Sequence, residues 1–428
     1  MKDKILKRSV WALLTVFFAI VFAIVVVAGQ IAQDHAGWVD AFFGVSRYKL
    51  VNDGDGISEQ DTQYFQSDYA VKDAAGNLVL EERGGFLRQT FHKEAMRANS
   101  KDVAERVNEE GAVLLWNKDG ALPLQKGAKV STFGYSSLQW ILTGGGSGGS
   151  DMLNEEMTLP QALESRGFAV NQSLLAAMES IGGNYGQVQV GMGPFYKSVG
   201  TDYRYDPIEI SWGDLNAASP GGVENVVAAY ADAAIFTVSR MAGEDAEANA
   251  STPFCEDKSY LSFSMTECEV LEQLSKLKAG GKIKKIVLLI NSANAMSLQY
   301  IRQYDIDACL WVGLGGNMST PAVADLLAGN ADPSGHLTDT WVYDVESTPV
   351  NENFGGYTFQ ESEGLPASFT SDEQFAANDK YVVYQEGIYV GYRYYETRYE
   401  DLVLGGRNAD SAAGVKAGSG SWSYAAEV

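Results

Sequence analysis

Hydrophobic and polar positions divide the chain into stretches of different period. From Val10 to Gly29, "VWALLTVFFAIVFAIVVVAG", 20 residues run without a charge. From 30 to about 90 the chain is polar and holds no sustained period. From about 95 to 345, apolar residues at helical spacing alternate with short, wholly apolar runs. Beyond 345 the chain is polar again, "NENFGGYTFQESEG", then dense in aromatics, "YVVYQEGIYVGYRYYET", and Gly/Ser-rich at its end. No internal repeat is evident.

The middle stretch predicts alternating helices and strands. "SKDVAERVNEEGAVLLWN" begins as a helix with Val103 and Val107 on one face, ending near Gly111. "AKVSTFG" is a short strand, and "VENVVAAYADAAIFTVS" is a helix running into a strand. "TECEVLEQLSKL" predicts a helix capped by Thr266 with Glu269, with an apolar stripe at Val270, Leu274 and Leu277. "KIKKIVLLIN" and "ACLWVG" read as buried strands. "TPAVADLLAG" is a helix with Thr320 as its cap and Pro321 in its first turn. Strands alternating with amphipathic helices build a mostly parallel sheet covered on both faces. The expected fold class is therefore α/β, a three-layer α/β/α sandwich, preceded by one transmembrane helix. Such sheets bind ligands beyond the carboxyl ends of their strands. "SRMAGEDAEA", Ser239 to Ala248, lies there, directly after "AIFTV".

A helix of about 20 residues crosses the hydrocarbon core of a bilayer, so 10–29 predicts a membrane anchor. Lys2, Lys4, Lys7 and Arg8 precede it. This basic flank keeps residues 1–9 in the cytoplasm and places the main domain on the extracytoplasmic side of the cell membrane. A cleaved signal peptide has a shorter apolar region, about 7 to 15 residues; cleavage after Val26-Val27-Ala28 is the alternative reading.

Charge narrows the partners. The chain carries 55 Asp and Glu against 32 Lys and Arg. Nucleic-acid binding rests on Lys and Arg neutralising phosphates, so that class is excluded. Cys255, Cys268 and Cys309 form no C-x-x-C pair, and His35, His92 and His336 stand singly, so no metal site is expected. Cys309 reads as a small core residue. Cys255 and Cys268 read either as a pair or as two free thiols. "NDGDGISEQD" spaces Asp53, Asp55 and Asp61 like a calcium loop, but it lacks the later Gly and the closing Glu, and reads as an acidic linker.

In "TGGGSGGSD", Gly144, Gly146 and Gly149 satisfy G-x-G-x-x-G, a weak signal alone. Asp151, Glu155 and Glu156 follow where a helix N-terminus would receive a pyrophosphate, and their charge opposes it. No cofactor is expected. The stretch is either a turn or a bare backbone that a bulky polar ligand can approach. There is no G-x-S-x-G, H-E-x-x-H or Walker loop, which leaves carboxylates as the reactive groups. Glu244, Asp245 and Glu247 lie close along the chain, a spacing from which like-charge repulsion predicts one raised carboxyl pKa, as a general acid requires. On charge pattern alone the same stretch reads as a solvated surface loop.

Several ordered motifs resemble one family. "AERVNEEGAVLLWNKDGALPL", "GGGSGG", "LWVGLGGNMSTPAVADLLAGNADPSGHLTDTW" and "YQEGIYVGYRYYE" together resemble the α/β sandwich domain of family 3 glycoside hydrolases, the β-glucosidase type. The resemblance covers about 95 to 345 and the segment near 381 to 396. After the cytoplasmic flank 1–9 and the anchor 10–29, it implies a polar lead-in 30–94, the sandwich 95–345 and an extended tail 346–428 leading towards a fibronectin-type module and barrel. It assigns the acid/base role to Glu244, with Glu247 as runner-up because "GED" departs from the family's commoner "G-E-G". It places Gly145, Gly146, Ser147 and Arg240 near the sugar; Arg240 reads equally as the structural partner of a carboxylate. The family's nucleophile is an Asp on a TIM-like barrel, and about 250 residues of barrel do not fit beside the sandwich. The expectation is thus a retaining β-glycosidase acting on a β-glucoside or oligosaccharide, with the barrel elsewhere or on a separate chain and this chain inactive alone. The alternative is a membrane-tethered, non-catalytic carbohydrate-binding or accessory subunit.

Overall fold

A computed structural model of the chain describes residues 14–22, 24–26, 68–83, 86–144, 157–185, 196–199, 202–205, 209–243, 253–353, 357–358, 380–381 and 386–408. It divides into two compact units, Met1–Asn99 and Ser100–Val428. In the first unit, 14–22 and 24–26 are helical and exposed. Among the described residues no helix is long and apolar enough to cross a membrane; the rest of the expected span, 10–13, 23 and 27–29, lies outside them. The lead-in, expected to be irregular, contains an antiparallel hairpin of β1 (Leu80–Arg83) and β2 (Phe86–Gln89). Helix α1, Lys93–Gly111, follows.

The later strands are, in chain order, β3 (Val113–Asn117), β4 (Lys129–Phe133), β5 (Ala169–Val170), β6 (Tyr196–Val199), β7 (Asp202–Tyr205), β8 (Ala233–Arg240), β9 (Ile286–Ser292), β10 (Ala308–Trp311), β11 (Tyr357–Thr358) and β12 (Lys380–Tyr381). Six of them form one sheet in the order β3-β10-β9-β8-β4-β5. Every pairing is parallel except β3 with β10, which is antiparallel. The central strands carry no polar alternation because both their faces are covered. Along β8, Ala234, Phe236 and Val238 enter one core and Ala233 and Ile235 the other. Along β9, Ile286, Leu288 and Ile290 face the first core, Val287 and Leu289 the second. Helices α3 (Gln172–Tyr185), α4 (Trp212–Ala218) and α5 (Met265–Ala279) cover the first face. Helices α2 (Leu159–Ser165) and α6 (Ser319–Ala328) cover the second. The layers are helix, sheet, helix. A last helix, α7, spans Tyr392–Leu404.

Three local expectations are corrected. The cap of α5 is Ser264 with Glu267, a full capping box two residues earlier than expected; Thr266 lies inside the helix. Thr320 is inside α6 and wholly buried, its hydroxyl bonded to Met157 O, so it does not cap. Val103 and Val107 of α1 point outward; Ala104, Glu105, Asn108 and Glu109 form the less exposed face. Asn108 makes that face useful: its Nδ2 donates to Gly315 O across 2.9 Å, a polar contact that an apolar stripe does not reveal.

Candidate active site

The parallel strands β4, β8, β9 and β10 deliver their carboxyl ends to one edge of the sheet. Two segments leave that edge toward the residues singled out by sequence. One is 139–144, which leads into the glycine stretch. The other is Met241–Gly243, which leads into Glu244. Gly144 and Ala242 meet: a Cβ on Gly144 would stand 2.8 Å from Ala242 O. Only glycine allows this approach. The sheet therefore brings the stems of the two candidate segments into contact.

Each stem is held by one buried side chain that bonds both backbone groups of a single residue. Asn291, on β9, accepts Ile141 N–H at Oδ1 (3.0 Å) and donates from Nδ2 to Ile141 O (3.0 Å). It also accepts the Ser239 hydroxyl (2.9 Å) and donates to Gly313 O (2.7 Å). One amide thus ties the glycine stem to β8 and to the turn after β10. Tyr260 does the same for the acidic stem: its hydroxyl accepts Met241 N–H (3.0 Å) and donates to Met241 O (3.2 Å).

Arg240, the last residue of β8, is fully buried. Its Nη1 and Nη2 each reach an oxygen of Glu267 at 2.7 Å. The other donors go to Tyr260 O (2.7 Å), Ser262 O (2.7 Å) and Ser239 O (2.8 Å). A guanidinium has five N–H groups, and all five are used. Its Cζ stands 5.4 Å from the centre of the Tyr260 ring. Burial works against the charge on Arg240, but the charge and hydrogen bonds of Glu267 outweigh it and hold the guanidinium above its ordinary value. Of the two sequence readings of Arg240, the geometry describes the structural one. No donor is left for a sugar.

A second buried carboxyl, Glu209, lies at the end of β4. Its Oε1 accepts Tyr135 N–H (3.0 Å) and Ile210 N–H (2.7 Å). Gly134 turns there with φ +96°, and a Cβ on it would meet Thr237 O at 2.5 Å and Glu209 Oε2 at 3.3 Å. Burial, and after it the charge of Glu267, push the Glu209 carboxyl well above its ordinary value; the two N–H groups and Arg240 oppose this.

A cleft of about 1030 Å³ adjoins this edge, lined by Ser259 and Leu261 on either side of Tyr260, by Asn294 just past β9, and by Asp339, Tyr392 and Arg393. Ser259 N–H is held by Glu346 Oε1 at 2.5 Å. Elsewhere among the described residues, Glu105, Glu109 and Asp325 bring carboxylate oxygens within 4.8 Å of one another. Arg166 stands where a cation would, with Nη2 at 2.6 Å from Glu105 Oε1 and 2.7 Å from Asp325 Oδ2.

Glu244, Glu247, Gly145, Gly146 and Ser147 lie outside the described residues; their stems, at Gly144 and Gly243, lie within them and converge. Cys255 and Cys268 are free thiols, and Cys309 is a buried core residue. Sequence reasoning missed Tyr260, Glu267, Asn291 and Glu209. Glu267 was within reach of a capping-box search in the right register; the partners of Asn291 and Tyr260 are 150 and 19 residues away along the chain, and no local pattern announces them.

Comparison with known proteins gives this edge a context. Residues 112–392 match the model of the glycosyl hydrolase family 3 C-terminal domain. A β-glucosidase of Ruminococcus albus is 29% identical over 307 residues, covering 71% of this chain and 27% of that protein. A solved β-glucosidase of Paenibacillus barengoltzii shares the fold with a TM-score of 0.51 and 26% identity, over 69% of this chain and 28% of its own. β-Glucosidase 3B of Thermotoga neapolitana, solved in complex with glucose, has a TM-score of 0.53 at 24% identity, over 70% of this chain and 36% of its own. The chain thus spans 27 to 36% of the lengths of these proteins. With the family model matched across most of its ordered sheet and helices, this chain belongs to glycosyl hydrolase family 3 and carries that family's C-terminal α/β domain.

Proposed function

We propose that the chain supplies the acid/base domain of a retaining β-glycosidase acting on β-glucosides. The observation that carries this reading is the contact of Gly144 with Ala242, which joins the stem of the glycine stretch to the stem of Glu244 at the carboxyl edge of the sheet. The β-glucosidase relatives and the glucose bound by the Thermotoga neapolitana protein support the substrate class. Gly145, Gly146 and Ser147 approach the sugar from the first stem. Glu244 rises from the second, with Glu247 as its rival. An aspartate from outside these 428 residues attacks the anomeric carbon while Glu244 protonates the departing glycosidic oxygen. Glu244 then takes a proton from water as that water releases the sugar from the aspartate. Carboxyl pairs of this kind stand about 5 to 5.5 Å apart, so the nucleophile's domain packs over this edge.

The test is hydrolysis of an aryl β-glucoside. The 428-residue chain alone gives little or none, and joining it to a barrel that bears the nucleophile gives turnover. Substantial turnover by the chain alone would remove the need for an external nucleophile. Attachment to the cell membrane through residues 10–29 belongs to the same proposal, supported by the uncharged run and its basic flank. Alkaline carbonate extraction should leave the chain in the membrane pellet, and its release into the supernatant would contradict the anchor.

A further inference from the structure

We propose that the cleft between the segment past β9, residues 337–351 and the start of α7 binds a neutral saccharide, held by Tyr392, Asn294, Asp339 and Arg393. The proposed β-glucoside chemistry enters only in the choice of probe. The readout is binding, so a failed hydrolysis assay and a failure here are separate results.

The cleft measures about 1030 Å³, near the upper end of pockets that enclose small ligands, about 300–1,000 Å³. Its walls come from distant parts of the chain and are tied to one another. Leu298 and Gln299 N–H donate to Val342 O (3.2 Å) and Tyr343 O (2.8 Å), and Val345 N–H donates to Ser297 Oγ (3.1 Å). Glu346 joins two walls at once, accepting Ser259 N–H at Oε1 and Asn351 Nδ2 at Oε2 (3.2 Å). Gly391 turns the chain into α7 at φ +57°, a value that glycine adopts without steric cost. A Cβ there would stand 3.5 Å from Asp339 Oδ1 and 3.7 Å from Thr340 Oγ1, so the start of α7 sits directly against 339–340. A cleft fixed in this way is formed before a ligand arrives, and little ordering is left for binding to supply.

The groups it presents decide the ligand. Ser292 Oγ accepts Asn294 N–H (3.0 Å) and donates to Asn294 O (3.1 Å). That fixes the backbone of Asn294 and leaves its side-chain amide without a bond among the described residues. Asp339 Oδ1 accepts Thr340 N–H (2.7 Å), while Oδ2 accepts none from them. Arg393 lies over the Tyr392 ring, its Cζ 5.1 Å from the centre, and its guanidinium pairs with no carboxylate among them, Asp339 included. An anion drawn by Arg393 would meet Asp339, and a cation drawn by Asp339 would meet Arg393. Hydroxyls both donate and accept, so a neutral polyol satisfies the amide, the carboxylate and the guanidinium together. The Tyr392 ring, 55% exposed, with Leu261 and Val390 in the same cleft, offers an apolar surface to the C–H face of a pyranose.

Titration calorimetry of the 428-residue chain with cellobiose, in a sugar-free detergent, is the test. The disaccharide should bind with a Kd on the order of 1 mM. Tyr392→Ala should weaken binding at least about 10-fold and Asn294→Ala about 3- to 10-fold, while Tyr392→Phe, which keeps the ring, stays within about 3-fold. Glucuronate and glucosamine should bind more weakly than cellobiose. Melting temperatures of the variants should match that of the unsubstituted chain, because both side chains stand in the cleft rather than in the core; if Tyr392→Ala loses its fold, Asn294→Ala decides. Absence of binding at about 20 times the expected Kd would overturn the proposal. So would cellobiose binding that Tyr392→Ala and Asn294→Ala both leave intact, or tighter, Tyr392-dependent binding of either charged sugar.

Discussion

Arg240→Met is the sharpest probe of the framework. Arg240 and Glu267 have side-chain exposures of 0% and 3%, so neither charge can reach water. Removing Arg240 leaves the Glu267 carboxylate with the Ser264 N–H at 2.6 Å as its remaining protein donor among the bonds described for it, and takes the donors from Tyr260 O and Ser262 O. Losing one partner of a buried pair costs about 3–5 kcal/mol. At about 2–4 °C per kcal/mol for a domain of this size, the melting transition should fall by roughly 6–20 °C. The double variant Arg240→Met/Glu267→Leu removes both charges. It gives up the capping contact at Ser264, worth about 1 kcal/mol, and should recover much of the loss. Thermal and urea unfolding of the two single variants, the double variant and the unsubstituted chain at pH 7 complete the cycle. A coupling near zero, or a loss below about 1 kcal/mol for Arg240→Met, would refute the clamp and return Arg240 to the sugar site.

Other outcomes follow from the remaining buried charges. Glu209 has a raised carboxyl pKa in the folded chain, so folding favours its protonated form. The stability this gives is full in acid and is lost as pH rises from the unfolded value toward the folded one. Glu209→Gln stays neutral and keeps the oxygen that accepts Tyr135 and Ile210 N–H, so it should raise the melting temperature at pH 7 by a few degrees and leave it unchanged near pH 4. Arg166 holds Asp325 below its ordinary value against burial, while burial pushes Glu105 up despite the same Arg166. Arg166→Met should lower stability by about 2 kcal/mol at pH 7, and the loss should shrink as pH falls, first through the raised Glu105 range and then, at lower pH, through the depressed Asp325 range; millimolar calcium should leave the melting temperature of the unsubstituted chain unchanged, because Arg166 already fills the place of a cation.

Much of the sheet was legible because parallel strands covered on both faces write themselves as unbroken apolar runs. "AAIFTV", "KIVLLIN" and "ACLW" became β8, β9 and β10. The capping error at α5 shows the limit: Ser264 and Thr266 both offer a hydroxyl followed three residues later by a glutamate, and only the burial of Glu267 against Arg240 selects the first. The exposed Val103 and Val107 show another: helical spacing is not burial when a polar contact such as Asn108 with Gly315 sets the inner face. For the site, sequence marked two segments, and the sheet brought their stems together at Gly144 and Ala242. What it did not mark are Asn291 and Tyr260, whose work is done through the amide oxygen and nitrogen of one and the hydroxyl of the other, on partners distant along the chain.

The central claim is that Glu244 hands a proton to the leaving group in an enzyme whose nucleophile comes from outside these 428 residues. It is tested most directly by Glu244→Gln in the chain joined to a nucleophile-bearing domain, with kcat/KM measured across aryl β-glucosides of graded leaving-group pKa. A loss of about 100-fold or more is expected for the poorest leaving groups, shrinking to near nothing for dinitrophenol. A uniform loss across the series, or undiminished hydrolysis of the poorest substrate, would contradict it.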